Sequence, residues 1–93
     1  MQYEIKQGAN LFYIGDSETE PDAYLRWSEQ PGRILTAEST FTAPALRGTG
    51  VASLLFEAFM DYVRREGYKV VPACTYVAAK MDRKPELYSD LKA

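Results

Sequence analysis

The clearest pattern in the chain lies between Val51 and Val63. There Val51, Leu54, Leu55, Ala58, Phe59, Tyr62 and Val63 recur at the three- and four-residue spacing of one helix face. The stripe predicts a helix from about Gly50 to Glu66, with Thr49 as a candidate cap, Arg64 and Arg65 in its last turn, and Gly67 beyond its end. Upstream the period changes to two. Ala23–Ser28 sets Ala23, Leu25 and Trp27 on one face and Tyr24, Arg26 and Ser28 on the other, the signature of a half-buried strand. Tyr3–Lys6, Leu11–Ile14 and Ile34–Thr42 read as further strands, divided by turn signals such as Gln7-Gly8-Ala9-Asn10 and Gln30-Pro31-Gly32-Arg33. Such short spacings suit antiparallel hairpins.

After the helix, Tyr68–Val71 is a fifth strand, and a connection of helix length lets it lie parallel to the fourth. Pro72 has no N–H, so pairing is expected to weaken there and to leave a gap between strands four and five. Thr75–Arg83 reads as a short helix with Thr75 as its candidate cap, and Pro85–Leu91 as a last helical turn. The predicted class is α/β (α+β): a mixed sheet of about four antiparallel strands, a crossover helix, a parallel fifth strand and short C-terminal helices.

At 93 residues the chain is long enough for one domain, and 46% apolar with 26% charged residues is ordinary for a soluble protein. No apolar run reaches the length of a membrane span, and the N-terminus lacks the form of a signal peptide, so a cytoplasmic location is expected. A net charge of −2 argues against a nucleic-acid partner. The charge is uneven, with three basic and seven acidic side chains in residues 1–42 but eight and six in residues 43–93, so an anionic ligand would favour the second half. The most restrictive fact is that the chain has no histidine. Its absence removes Ser-His-Asp triads and Cys-His dyads, and the single cysteine, Cys74, supplies neither an internal disulfide nor the usual zinc sets. No metal is expected. Any catalysis must rest on Glu, Asp, Tyr, Lys, Cys, water or backbone.

Between the fourth strand and the helix runs Arg47-Gly48-Thr49-Gly50-Val51-Ala52. Two glycines permit a tight turn and close approach of a ligand to the backbone, and the helix behind them offers unpaired N–H groups and the positive end of its dipole. The stretch therefore reads as an anion cradle with phosphate as the natural guest, or as a plain connecting loop. It fits neither GxxxxGK[ST] nor, with Ser53 at the last position, GxGxxG.

The pattern it does fit, Arg-x-x-Gly-x-Ala after a β-like run, resembles the coenzyme A pyrophosphate loop of the GNAT-type N-acetyltransferases. Thr40, Leu46 to Ala52, Gly67 to Pro72, Cys74, Tyr76-Val77-Ala78 and Pro85-Glu86 together resemble the small stand-alone members of that superfamily, in which a Val-Pro-x-Cys segment follows the crossover helix. The resemblance implies acetyl-CoA as co-substrate, a small-molecule or peptide amine as acceptor, and coenzyme contacts from Thr40, Phe41, Arg47, Gly48, Thr49, Gly50, Val51 and Ala52. Departures stand at Ser39 and Lys84, where the small group has histidine, and at Lys80, where it has an aromatic. For acetyl transfer the oxyanion needs a donor, for which a backbone N–H near Thr40-Phe41 is the candidate, and the amine needs a base, for which Glu38 is the candidate. Tyr76 is the candidate proton donor to the leaving thiolate, with packing as its alternative role. Cys74 is either an acetyl-accepting nucleophile or an inert buried thiol. Against the enzyme stands a coenzyme-binding module without chemistry. The acceptor and the oligomeric state are not legible in the sequence.

Overall fold

The computed structural model describes residues 3–93. Four strands come first: β1 (Lys6–Gly8), β2 (Leu11–Ile14), β3 (Ala23–Gln30) and β4 (Ile34–Thr42). A 3-10 turn at Pro44–Leu46 leads to α1 (Val51–Glu66), β5 (Lys69–Pro72), α2 (Thr75–Arg83), α3 (Pro85–Tyr88) and a final 3-10 turn at Ser89–Leu91. The sheet order is β1-β2-β3-β4-β5, antiparallel up to β4 and parallel between β4 and β5. None of the described helices is long and apolar enough to cross a membrane.

The first strand lies later than the alternation at Tyr3–Lys6 predicts. Asn10, at φ 65°, takes the left-handed position of the reversal, so Gln7 and Gly8 pair with Phe12 and Leu11 instead of forming the turn. A Cβ at Gly8 would displace the Glu18 carboxylate, which accepts the Ala9 N–H at 2.9 Å.

The core forms on one face of the sheet. Ala23, Leu25 and Trp27 of β3 and Leu35 and Ala37 of β4 are buried there against Val51, Leu55, Phe59 and Val63 of α1. Trp27 stacks obliquely on Phe59 with ring centroids 5.2 Å apart, and Phe12 adds a third ring 5.3 Å from Trp27. The apolar stripe of α1 is broader than one face, however. Phe56 and Met60 are buried while Leu54 is 41% exposed, because α2 and α3 cover the flank of α1 and Tyr88 meets Phe56 edge-on at 5.2 Å. The opposite face of the sheet, carrying Tyr24, Arg26, Ser28, Glu38 and Phe41, stays half-buried or exposed.

Neither predicted side-chain cap forms. Gly50 is the N-cap of α1 in a left-handed conformation, and the Thr49 hydroxyl donates to the Leu46 carbonyl. Cys74, not Thr75, is the N-cap of α2, and it makes no side-chain bond to that helix. The end of α1 is as expected: Gly67 at φ 77° lets the Tyr68 N–H return to the Val63 carbonyl at 2.9 Å.

β5 pairs with β4 only from Ile34–Lys69 to Ala37–Pro72. Pro72 thus stays in register as the last paired residue, and the strands part immediately after it. Ala73 turns its N–H back on the Val71 carbonyl (3.0 Å) instead of continuing the ladder to Ala37, and the Cys74 N–H takes the Ala37 carbonyl in its place (2.8 Å).

Burial ranks the α1 side chains for a direct test by urea denaturation. Phe59→Ala should lower stability by about 3–5 kcal/mol, since it removes a fully buried ring. Phe56→Ala should cost about as much. Leu54→Ala, on the exposed side of the same predicted stripe, should stay within about 1 kcal/mol of the parent. Equal losses at positions 54 and 56 would contradict the packing of α2 and α3 on the helix flank.

Candidate functional site

Where the two strands part, β4 carries an irregularity of its own. Arg26 faces Ser39 and Trp27 faces Ala37, so Glu38 is the extra residue of a β-bulge. The bulge resets which backbone groups point outward. Trp27 N–H donates to the Asn10 carbonyl and Ala43 N–H to the Asp22 carbonyl, so Tyr24–Phe41 and Arg26–Ser39 are the pairs that exchange bonds between β3 and β4. By the same alternation the N–H of Thr40 points away from β3, into the gap that β5 has left. Phe41 N–H points to β3.

Thr40 also turns its side chain to the helix side of the sheet, opposite the fully buried Leu25, and its hydroxyl is 3.7 Å from the Cys74 sulfur. Cys74 is buried, with its N–H and carbonyl engaged by Ala37 and Ala78. Glu38 lies elsewhere. Its carboxylate accepts a 2.8 Å bond from Ser28 on the opposite, open face, where Phe41 stacks on Tyr24 with centroids 5.6 Å apart.

The glycine turn opens on a pocket of about 280 Å³. Arg47, Gly48, Gly50, Val51 and Ala52 line one side of it, and Tyr76 from α2 lines the other. Gly48 and Gly50 have φ of 82° and 86°, and a Cβ at either would meet nothing within 4 Å, so it is the left-handed backbone, not crowding, that calls for glycine, and both positions face open space. The turn is not uniform in what it offers. Arg47 and Thr49 direct their N–H groups to the Pro44 and Leu46 carbonyls, whereas the amides of Val51, Ala52 and Ser53 precede the first intrahelical donor, Leu54. A diphosphate would therefore meet free amides at the helix start, joined there by the positive end of a sixteen-residue helix dipole. The Arg47 guanidinium folds back to the Thr42 carbonyl at 3.3 Å, on the rim of the pocket.

Four residues to which sequence reasoning gave no catalytic or coenzyme-binding role complete the site. Thr42 and Leu46 line the pocket, and Ser53 joins it to α2. Its hydroxyl is 3.4 Å from the Tyr76 hydroxyl and accepts a 2.9 Å bond from the Lys80 ammonium. A sequence signal for this existed: Lys80 stands four residues after Tyr76, on the same side of α2, and Ser53 is the third residue of α1.

The structure thus gathers the glycine turn and Tyr76 around one pocket and sets Thr40 and Cys74 together beside the parting of β4 and β5. It keeps Glu38 and Phe41 on the other face.

A family model described as GCN5-related N-acetyl-transferase matches residues 11–91. The chain is also similar to a GCN5-like candidate N-acetyltransferase from Staphylococcus aureus, solved in solution by NMR, with 31% identity, 98% of this chain and 88% of that one covered, and a TM-score of 0.76. No curated protein matches the chain. The match across nearly all of the sheet and helices, including the strand–glycine turn–helix unit, makes this chain a member of the GCN5-related N-acetyltransferase family.

Proposed function

We propose that the protein transfers the acetyl group of acetyl-CoA to an amine by direct attack in a ternary complex. The observation that carries this reading is the open cradle at Gly48–Ala52 leading to a strand whose free edge begins at the Glu38 bulge. The diphosphate of the coenzyme binds the amides of Val51 and Ala52 with Gly48 and Gly50 beneath it. Its acyl arm runs into the gap between β4 and β5. There the Thr40 N–H donates to the thioester carbonyl, and more strongly to the oxyanion that forms when the amine nitrogen adds to that carbon.

The acceptor approaches from the open face of the sheet, where Glu38 sits at the bulge. Its carboxylate takes a proton from the acceptor ammonium, directly or through a water, so that the neutral amine adds to the carbonyl carbon, and the adduct nitrogen then gives its extra proton to solvent. As the C–N bond forms and the C–S bond breaks, the leaving thiolate takes a proton from the Tyr76 hydroxyl or from solvent. Cys74 has no role in this sequence: it is buried, its nearest polar side-chain partner is a threonine hydroxyl, and the chain has no histidine to act as its base. One observation favours a second reading. Glu38 is held by Ser28 on the face away from the pocket, as it would be in a module that binds the coenzyme without turning it over.

Three measurements decide these roles. Gly50→Val should lose coenzyme A binding by calorimetry while keeping its circular dichroism spectrum. The branched side chain enters the cradle, and its positive φ costs only about 1–3 kcal/mol; equal affinity in both proteins would remove the cradle.

Glu38→Gln should keep coenzyme affinity and lower thiol release about 100-fold or more across a panel of polyamines, amino sugars and lysine peptides. Unchanged turnover would exclude Glu38 as base, and no turnover by the parent with any acceptor would favour the binding module. Cys74→Ala should retain activity, with no acetyl adduct on the parent protein by intact mass. An adduct at Cys74 together with an inactive variant would replace direct transfer by a two-step mechanism.

A further inference from the structure

A second hollow, of about 220 Å³, adjoins the first across the Ser53–Lys80 hydrogen bond. Its walls are Phe56 and Glu57 of α1, Lys80 and Arg83 of α2, and Lys84 and Tyr88 after it. Lys80, Arg83 and Lys84 stand at i, i+3 and i+4, so three cations converge on one side of the end of a nine-residue helix. None of the three is in an ion pair among the described residues, although Arg64, Arg65 and Lys92 nearby all have carboxylate partners. Like charges crowded in this way repel, and a bound anion relieves the repulsion.

The floor is fixed by packing. Phe56 is buried, Tyr88 meets it edge-on, and the Lys80 ammonium lies 5.8 Å above the Phe56 ring. Burial, followed by the charges of Glu57 and Asp61 and opposed by Arg64, raises the Tyr88 pKa above its usual value, so this hydroxyl remains a neutral donor. With Glu57 set against three cations, the hollow offers a net charge of about +2, which matches a phosphate monoester at about −1.5 to −2.

We propose that this hollow binds the 3′-phosphate of the coenzyme and makes the protein selective for coenzyme A over its 3′-dephospho form. The inference rests on the reading of the Gly48–Ala52 turn as the diphosphate site. From that turn the geometry follows: Phe56 and Glu57 lie one helical turn beyond Ser53, about 5 Å along α1. A single ribose separates the 5′-diphosphate from the 3′-phosphate in the coenzyme, and that span bridges the two hollows. Lys80, bonded to Ser53, stands at the boundary where it can reach either phosphate group.

Calorimetric titration of the full chain with coenzyme A and with 3′-dephospho-coenzyme A tests this. The parent should prefer coenzyme A about 10-fold or more, as expected when charge-assisted contacts to one phosphate are gained. In Arg83→Ala/Lys84→Ala the preference should fall to near one, with affinity for the dephospho form unchanged within about twofold. Both positions are exposed, and circular dichroism checks the fold; Lys84→Glu, a single exposed change, should lower the preference in the same direction.

A parent that binds both forms equally, or a double variant that keeps the preference, would overturn the 3′-phosphate site and leave the cradle standing. A parent that binds neither form would overturn both.

Discussion

The parting of β4 and β5 after Ala37 and Pro72 is the constraint on which the site depends. In a parallel pair alternate residues face a given neighbour. The Lys69 N–H reaches the Arg33 carbonyl, so Val71 and Ala73 are the next donors in line toward β4, and Pro72 faces the outer edge, but Ala73 turns its N–H back on the Val71 carbonyl. The ladder could have ended with an unpaired Ala37 carbonyl in the core. Instead the chain bends at Ala73 and supplies the Cys74 amide to that carbonyl, which closes the buried polar account and swings the rest of the chain away from β4. From that point β4 has a free edge, and α2 begins beside it. The same bend carries Cys74 to within 3.7 Å of the Thr40 hydroxyl and Tyr76 to the wall of the glycine pocket.

The bulge at Glu38 works with this separation. Without an extra residue, the strict alternation of β4 would assign the backbone and side chains beyond Glu38 to opposite sides from those observed. With it, Thr40 presents its N–H to the gap and its side chain to the helix side, while Glu38 stays on the open face. A carboxylate on one face and an amide donor on the edge of the same strand can then address two reactants that arrive from different sides.

The packing of α2 and α3 along α1 sets the two hollows side by side. Phe56 and Met60 are buried because of it, and Lys80 is brought over Phe56 and onto Ser53. The basic end of α2 therefore lies next to the start of α1. Three of the eight basic residues in the second half of the chain, Lys80, Arg83 and Lys84, line the hollow at this junction.

The order and type of elements were decided by local pattern. The period-two runs from Leu11 to Thr42, the 3.6-residue stripe of α1 and Gly67 at its end were readable because each rests on neighbouring residues and intrinsic φ preferences. The glycine turn was legible for the same reason, since Gly48 and Gly50 do take positive φ. What tertiary structure alone decided were the quantities that depend on partners distant in sequence. The broader buried arc of α1 required α2 and α3. The start of β1 followed from Asn10 and from Glu18 reaching back to Ala9. The Glu38 bulge depends on the register between β3 and β4, and with it which of Thr40 and Phe41 has a free amide. A sequence states which side chains are present. Their faces along a strand are set only when the pairing is fixed, and in this protein a single inserted residue in that pairing determines which groups meet.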